Sequence, residues 1–126
     1  MTRAYLDSSC LVGLAFGEGE ATRWRKRLLG FDQLLSSNLL EAEVRAALLR
    51  EGVAGGDELL TWVDWVLPSR PLSQEIQQVL GAGYLRGADL WHLATALYLS
   101  PYPGELPFLT LDGRQAEVAR TLGFPD

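Results

Sequence analysis

Apolar and polar positions fall in blocks along this chain, and the period changes from block to block. The run Arg3-Ala4-Tyr5-Leu6 reads as a short strand that stops at Asp7, and residues 10–16 follow as an apolar run with helical character. Gly17-Glu18-Gly19 breaks that helix, and residues 20–29 form a second one closed by Gly30. Gln33-Leu34-Leu35-Ser36 is a second strand, after which a helix starts at Ser37 or Asn38 and runs to about Glu51, where Gly52 stops it. Past the turn Gly55-Gly56-Asp57, residues 58–66 are predicted to be helical, with Trp62, Val63, Trp65 and Val66 among them and Pro68 ending the helix. Residues 67–72 are a proline-flanked extended piece, at most an edge strand. A helix from Ser73 ends at Gly81 and Gly83, and residues 88–99 form the strongest helix, halted by Ser100-Pro101. Residues 106–111 are a strand ending at Asp112, and residues 115–122 a last helix closed by Gly123.

This alternation predicts a single α/β domain over residues 1–126, three layers deep (α/β/α), with a mainly parallel central sheet of four or five strands. The stretch after Gly123 is so short that a final strand is expected to be very short or missing. A chain of this size buries roughly two-thirds of the surface its unfolded form exposes. Cys10 is the single cysteine, which excludes an internal disulfide; in its apolar run it reads as a small buried hydrophobe. No apolar run approaches the ~20 residues that cross a bilayer, and Asp7 interrupts anything resembling a signal-peptide core. A soluble, cytoplasmic protein is the expectation. The net charge of -5 argues against a general grip on nucleic acid, which depends on many cations meeting phosphates. Arg23, Arg25, Lys26 and Arg27 form the only basic cluster, and on a helix they point several ways, as a solvated face does.

The acids carry the candidate chemistry. Asp7 and Asp112 each end an apolar strand and precede a helix, so each is either a helix cap or the floor of a site at the carboxyl end of a parallel sheet. Asp89 opens the stretch Ala88 to Ala96 and is again either a cap or a ligand. His92, one turn on, reads as a packed histidine donating one hydrogen bond, or as a group that orients a neighbour or binds metal. Glu43 and Glu41 can be compared on one helix. Around Glu41, the positions three and four away are Ser37, Asn38, Val44 and Arg45, a polar surround with a salt-bridge partner. Around Glu43 they are Leu39, Leu40, Ala46 and Ala47, where a carboxylate is costly unless a cation meets it or the residue lies at the stripe's edge and reaches solvent. Carboxylates gathered at one sheet edge repel one another and have raised pKa values unless cations are bound. Oxygen ligands favour magnesium or manganese over zinc.

Taken in order, Leu6-Asp7-Ser8-Ser9, then Ser37-Asn38-Leu39 with Glu43, then Asp89-Leu90-Trp91-His92-Leu93-Ala94-Thr95-Ala96, then Thr110-Leu111-Asp112, resemble the signature of PIN-domain ribonucleases, of which the compact toxin nucleases of VapC type are the nearest in size. The resemblance spans nearly the whole chain. It implies a PIN-like fold and metal-dependent RNA hydrolysis, with Asp7, Glu43, Asp89 and Asp112 as the acidic site for Mg2+ or Mn2+ and Ser8 or Thr110 as helpers. It also implies an RNA substrate and a protein antitoxin, with a homodimer expected. Arg86 and Arg114 are candidates for contacts to the RNA backbone, or plain surface. Trp91 departs from the pattern, standing where a small or aliphatic residue is usual. Trp62, Val63, Trp65 and Val66 are too many for one face of a short helix, so some are expected at an interface with a second copy or an antitoxin, unless they all pack in the core. Two other classes remain open: an aspartate-phosphorylating phosphatase or receiver domain, which lacks its second acid at Asp7-Ser8-Ser9-Cys10, and a binding module whose acids are only caps.

Overall fold

The computed structural model describes residues 1–17 and 19–126, so of the break expected at Gly17-Glu18-Gly19 only Glu18 lies outside the described residues. Four parallel strands form the sheet: β1 (Arg3–Leu6), β2 (Gln33–Ser37), β3 (Val63–Val66) and β4 (Phe108–Leu109), in the order β3-β2-β1-β4. The chain steps outward from β1 through β2 to β3, then crosses to the other side of β1 for β4. That reversal makes the β1/β4 boundary the switch point, where the crevice of such a sheet opens at its carboxyl ends. Backbone bonds fix the register there, from Tyr5 N–H to the Pro107 carbonyl (2.9 Å) and from Asp7 N–H to the Leu109 carbonyl (3.0 Å).

Alternation along the strands sorts their side chains into two cores. Ala4, Leu6, Leu34, Val63 and Leu109 face α1 (Ser8–Phe16), α2 (Ala21–Leu29), α3 (Leu39–Glu51) and α4 (Gly56–Leu60). Tyr5 and Phe108 face α5 (Ser73–Ala82), α6 (Gly87–Leu99) and α7 (Gly113–Leu122). The sheet is therefore covered on both sides, as the alternation of elements predicts. Cys10 packs in the first core and its thiol is pushed up by burial, so it is inert packing.

Several expectations need correction. Residues 58–66 are not one helix: α4 ends at Leu60 and Val63–Val66 is strand β3. The β-branched and aromatic content of Val63-Asp64-Trp65-Val66 suits a pleated surface, and pairing with Leu34 to Ser37 supplies the partner that a sequence window lacks. The apolar excess in this region is thereby absorbed. Val63 and Val66 are buried, and Trp62 and Trp65 are half-buried against the first core, the core packing that the sequence left open beside an interface. Residues 67–72 pair with no strand; Ser69 N–H bonds to the Tyr98 hydroxyl (3.3 Å), Arg70 holds Glu75 of α5, and Leu72 is buried in the second core. The strand expected over 106–111 keeps only Phe108–Leu109, and Gly81 is accommodated inside α5. Beyond Gly123 there is no strand; one backbone bond, from Phe108 N–H to the Pro125 carbonyl (2.9 Å), ties the tail to β4. Arg23, Arg25, Lys26 and Arg27 are exposed, as expected of a solvated face.

Candidate active site

Asp7 leaves β1 at its carboxyl end and caps α1, with Oδ2 accepting the Ser9 N–H at 3.2 Å. The cap does not use up the side chain. Asp7 is 3% exposed, and its Oδ1 is a buried acceptor without any hydrogen-bond partner among the described residues. An ionised carboxylate oxygen in that state is expensive unless a cation meets it. The nearest cationic candidate is His92 Nε2, 4.0 Å away.

His92 is fully buried on α6 and uses both ring nitrogens, Nδ1 at 2.8 Å from the Tyr5 hydroxyl and Nε2 at 2.7 Å from Glu43 Oε1. A neutral ring donates one of these bonds and accepts the other, so a packed histidine donating one hydrogen bond is compatible with both contacts. Because α3 lies on the first core and α6 on the second, the His92–Glu43 bond joins the two helical layers over the strand ends. Glu43 is not deeply buried: its side chain is 27% exposed and Ala46 beside it faces solvent, so it stands at the edge of the apolar stripe and leans inward. Glu41 has the ordinary role expected, bonded to Arg45 at 2.8 Å and to the Asn38 amide at 3.0 Å.

Asp89 lies in the first turn of α6, but the cap position belongs to Arg86 and Asp89 makes no capping bond. Its carboxyl is pushed above the usual range by burial first, and then by the negative charges of Asp7, Asp112 and Glu43. That ordering places all the predicted acids in one electrostatic neighbourhood. Asp112 is exposed and caps α7, its Oδ1 accepting the Gln115 N–H at 2.8 Å. Capping and site are compatible here, as at Asp7.

A polar frame, of which the family resemblance singles out Thr110, holds the β1 and β4 ends together. Thr110 Oγ1 lies 3.1 Å from Asp7 Oδ2 and 2.8 Å from Gln115 Oε1, with one proton for the two acceptors, and it accepts the Asp112 N–H at 3.0 Å. Ser9, rather than Ser8, joins this frame: its Oγ is 3.3 Å from Thr110 Oγ1 and accepts the Leu111 N–H at 2.9 Å. Buried Gln115 donates to the Asp89 carbonyl at 3.2 Å and so ties α7 to α6. Period-2 alternation was a usable signal for Tyr5, since Tyr5 and Asp7 share the side facing α6. The Asp112-to-Gln115 spacing marks the cap of a helix, and only the bonds of the Gln115 amide to Thr110 and to the Asp89 carbonyl were without a local signal. Trp91 is half-buried, and its indole N–H donates to Ser37 Oγ at 2.9 Å, which gives the atypical residue a fixed place beside a cavity of about 510 Å³ lined also by Asn38, Leu39, Val66 and Leu67.

The donor set fits a hard divalent cation: carboxylate oxygens, one of them buried and unpartnered, in a neighbourhood whose negative charge already raises the pKa of one member. It is not a preformed cage. Among the described residues no three Asp, Glu, His or Cys side chains are gathered closely enough to hold a metal ion. Repulsion between carboxylates accounts for that, with Glu43 drawn to His92 and Asp112 to its capping bond.

The chain matches the PIN domain family over residues 4–121. It is similar to Ribonuclease VapC46 of Mycobacterium tuberculosis, 36% identical over 126 residues, which covers 98% of this chain and 95% of that protein. No solved structure matches it. A family match spanning both strand-end aspartates, the helix-start aspartate and Glu43, on a four-stranded parallel sheet covered on both faces, places this chain in the PIN domain family.

Proposed function

We propose that this protein is a metal-dependent endoribonuclease of VapC type, the toxin of a toxin–antitoxin pair, in which Asp7, Glu43, Asp89 and Asp112 hold Mg2+ or Mn2+. The observation that carries the metal reading is the buried, unpartnered Oδ1 of Asp7 within the field of the other acids. A divalent ion held there supplies the Lewis acidity and activated water that phosphodiester hydrolysis needs. Asp7, fixed by the Ser9 N–H and by Thr110, is the most rigid of the acids. Asp89 and Asp112 are positioned by the first turn of α6 and by the cap of α7. Arg86 and Arg114 are exposed within a few residues of Asp89 and Asp112 and are suited to steady the phosphate backbone. No side chain is required as a covalent nucleophile.

The partners proposed are RNA as substrate, a protein antitoxin and a second copy of the chain, in the cytoplasm. No helix among the described residues is long and apolar enough to cross a membrane. Exposed Leu49, at the end of α3, and exposed Leu67, beside the Trp91 cavity, supply apolar surface for a protein contact. The test is incubation of purified protein with mixed RNAs in the presence of manganese, with excess chelator in a second arm. Cleavage is expected in the first and none in the second; undiminished cleavage in chelator overturns the metal mechanism.

A further inference from the structure

Glu43 projects from the rim of α3 on a flexible side chain, and among the described residues its carboxylate has one hydrogen-bond partner, His92 Nε2 at 2.7 Å. A ring nitrogen and a carboxylate oxygen that close need a proton between them. Tyr5 decides which nitrogen carries it. The Tyr5 hydroxyl accepts the Ser37 N–H at 3.0 Å, which leaves its own proton free for His92 Nδ1 at 2.8 Å. With Nδ1 accepting, the proton of the neutral ring sits on Nε2 and points at Glu43. The bonds from Ser37 N–H to Tyr5, from Tyr5 to His92 and from His92 to Glu43 thus run in one consistent direction. Packing holds the chain still: Tyr5 and His92 are fully buried, the two rings meet edge-on at 5.8 Å, and Tyr5 stacks on Phe108 at 5.4 Å.

We propose that His92 is a positioning residue for Glu43, with its tautomer set by Tyr5, and that the two hold one oxygen of Glu43 so that the other is presented to a divalent cation. The proposal rests on the metal reading above. A half-exposed glutamate without this tether spreads over solvent-facing rotamers, and that freedom is lost again when a cation binds. Groups that hydrogen-bond a metal ligand are worth about 10–100-fold in metal affinity.

Manganese affinity of the full chain, measured by calorimetric or spectroscopic titration with Mn2+ alone, tests this without reference to cleavage. His92→Leu is expected to bind Mn2+ about 10–100-fold more weakly than wild type. His92→Gln, which keeps an N–H donor where Nε2 stood, is expected to recover most of that loss. A merely structural histidine gives no such recovery. In a Glu43→Gln background, His92→Leu is expected to cost little more, because the two act through one interaction. Wild-type affinity in a folded His92→Leu, or losses that add in the double variant, overturns the proposal. If His92→Leu does not fold, Tyr5→Phe, which removes one oxygen, decides: weaker Mn2+ binding supports the chain of bonds and unchanged binding overturns it. A wild-type protein that binds no Mn2+ sinks the metal reading itself, and this proposal with it.

Discussion

At the scale of single residues, the comparison of Glu41 with Glu43 separates structure from chemistry on one helix. Glu41 is engaged by Arg45 and Asn38, whereas Glu43 leans to His92 and shares a field with Asp89. Glu43→Gln is therefore expected to lower RNA cleavage by at least roughly a hundredfold, the loss that a misplaced reacting group brings. Without metal its melting temperature should change little, since relief of repulsion with Asp89 offsets a weaker bond to His92. Glu41→Gln should cleave like wild type. If instead Glu41→Gln is dead and Glu43→Gln active, the site is built on the wrong face of α3. Asp7→Asn and Asp89→Asn keep side-chain size and remove like charge, so both should fold and lose cleavage, and wild-type turnover by either returns that residue to capping. These candidate acids could be picked out in the sequence by a strand end, a helix start or an apolar helical surround, each with a structural alternative beside it. Their supports were harder to read: Tyr5 lies 87 residues from His92, and Thr110, singled out only by the family resemblance, lies 103 from Asp7.

Among elements, β3 was the strand read as helix, and the cause is visible at Asp64. Trp62 to Val66 read alone is an apolar run whose period is ambiguous. Its strand character comes from β2, which pairs with it residue for residue and gives exposed Asp64 a bond from the Gln33 amide at 2.9 Å. Just before β3, α4 is pressed on α3: a Cβ at Gly56 would overlap Leu48, a buried core residue. Helix propensity alone predicts that Gly56→Ala stabilises by up to about 1 kcal/mol. Overpacking costs about 1–3 kcal/mol and should win, so Gly56→Ala is expected to melt below wild type; a higher melting temperature would show that Leu48 finds another rotamer freely. The segment after β3 is fastened by the two-pronged Arg70–Glu75 bond at 2.6 and 3.0 Å, not by sheet pairing. Hydrogen bonding from Arg70 holds the Glu75 carboxyl below its ordinary value of 4.5. A lowered carboxyl pKa contributes stability above the unfolded value and loses it as the pH falls through the folded one. Glu75→Gln should consequently melt lower than wild type at pH 7, with the gap closing below pH 4.5, and a gap independent of pH would assign Glu75 a packing role only.

At the scale of the whole molecule, the distribution of charge governs how RNA is met. The net charge is -5, and the acids that define the site concentrate part of it at the carboxyl edge of the sheet. Arg86 and Arg114 are exposed and close in sequence to Asp89 and Asp112, and Arg114 lies 3.6 Å from Glu117. The arginines of α2 are already engaged, Arg23 with Glu20, Arg25 with Glu58 and Trp62, and Arg27 with Trp24. If Arg86 and Arg114 are the phosphate contacts, single-stranded RNA binding should fall with salt on a log–log slope of about -1.4, at roughly -0.7 per contact, or about sevenfold between 50 and 200 mM. The measurement uses the Asp7→Asn variant without divalent ions, so that RNA is bound and not cut, with wild-type folding verified first. Arg86→Ala and Arg114→Ala should each remove about half of the slope while leaving stability unchanged. A slope of about -3 or steeper, insensitive to both substitutions, would move the RNA path to the α2 face and require the ion pairs there to open.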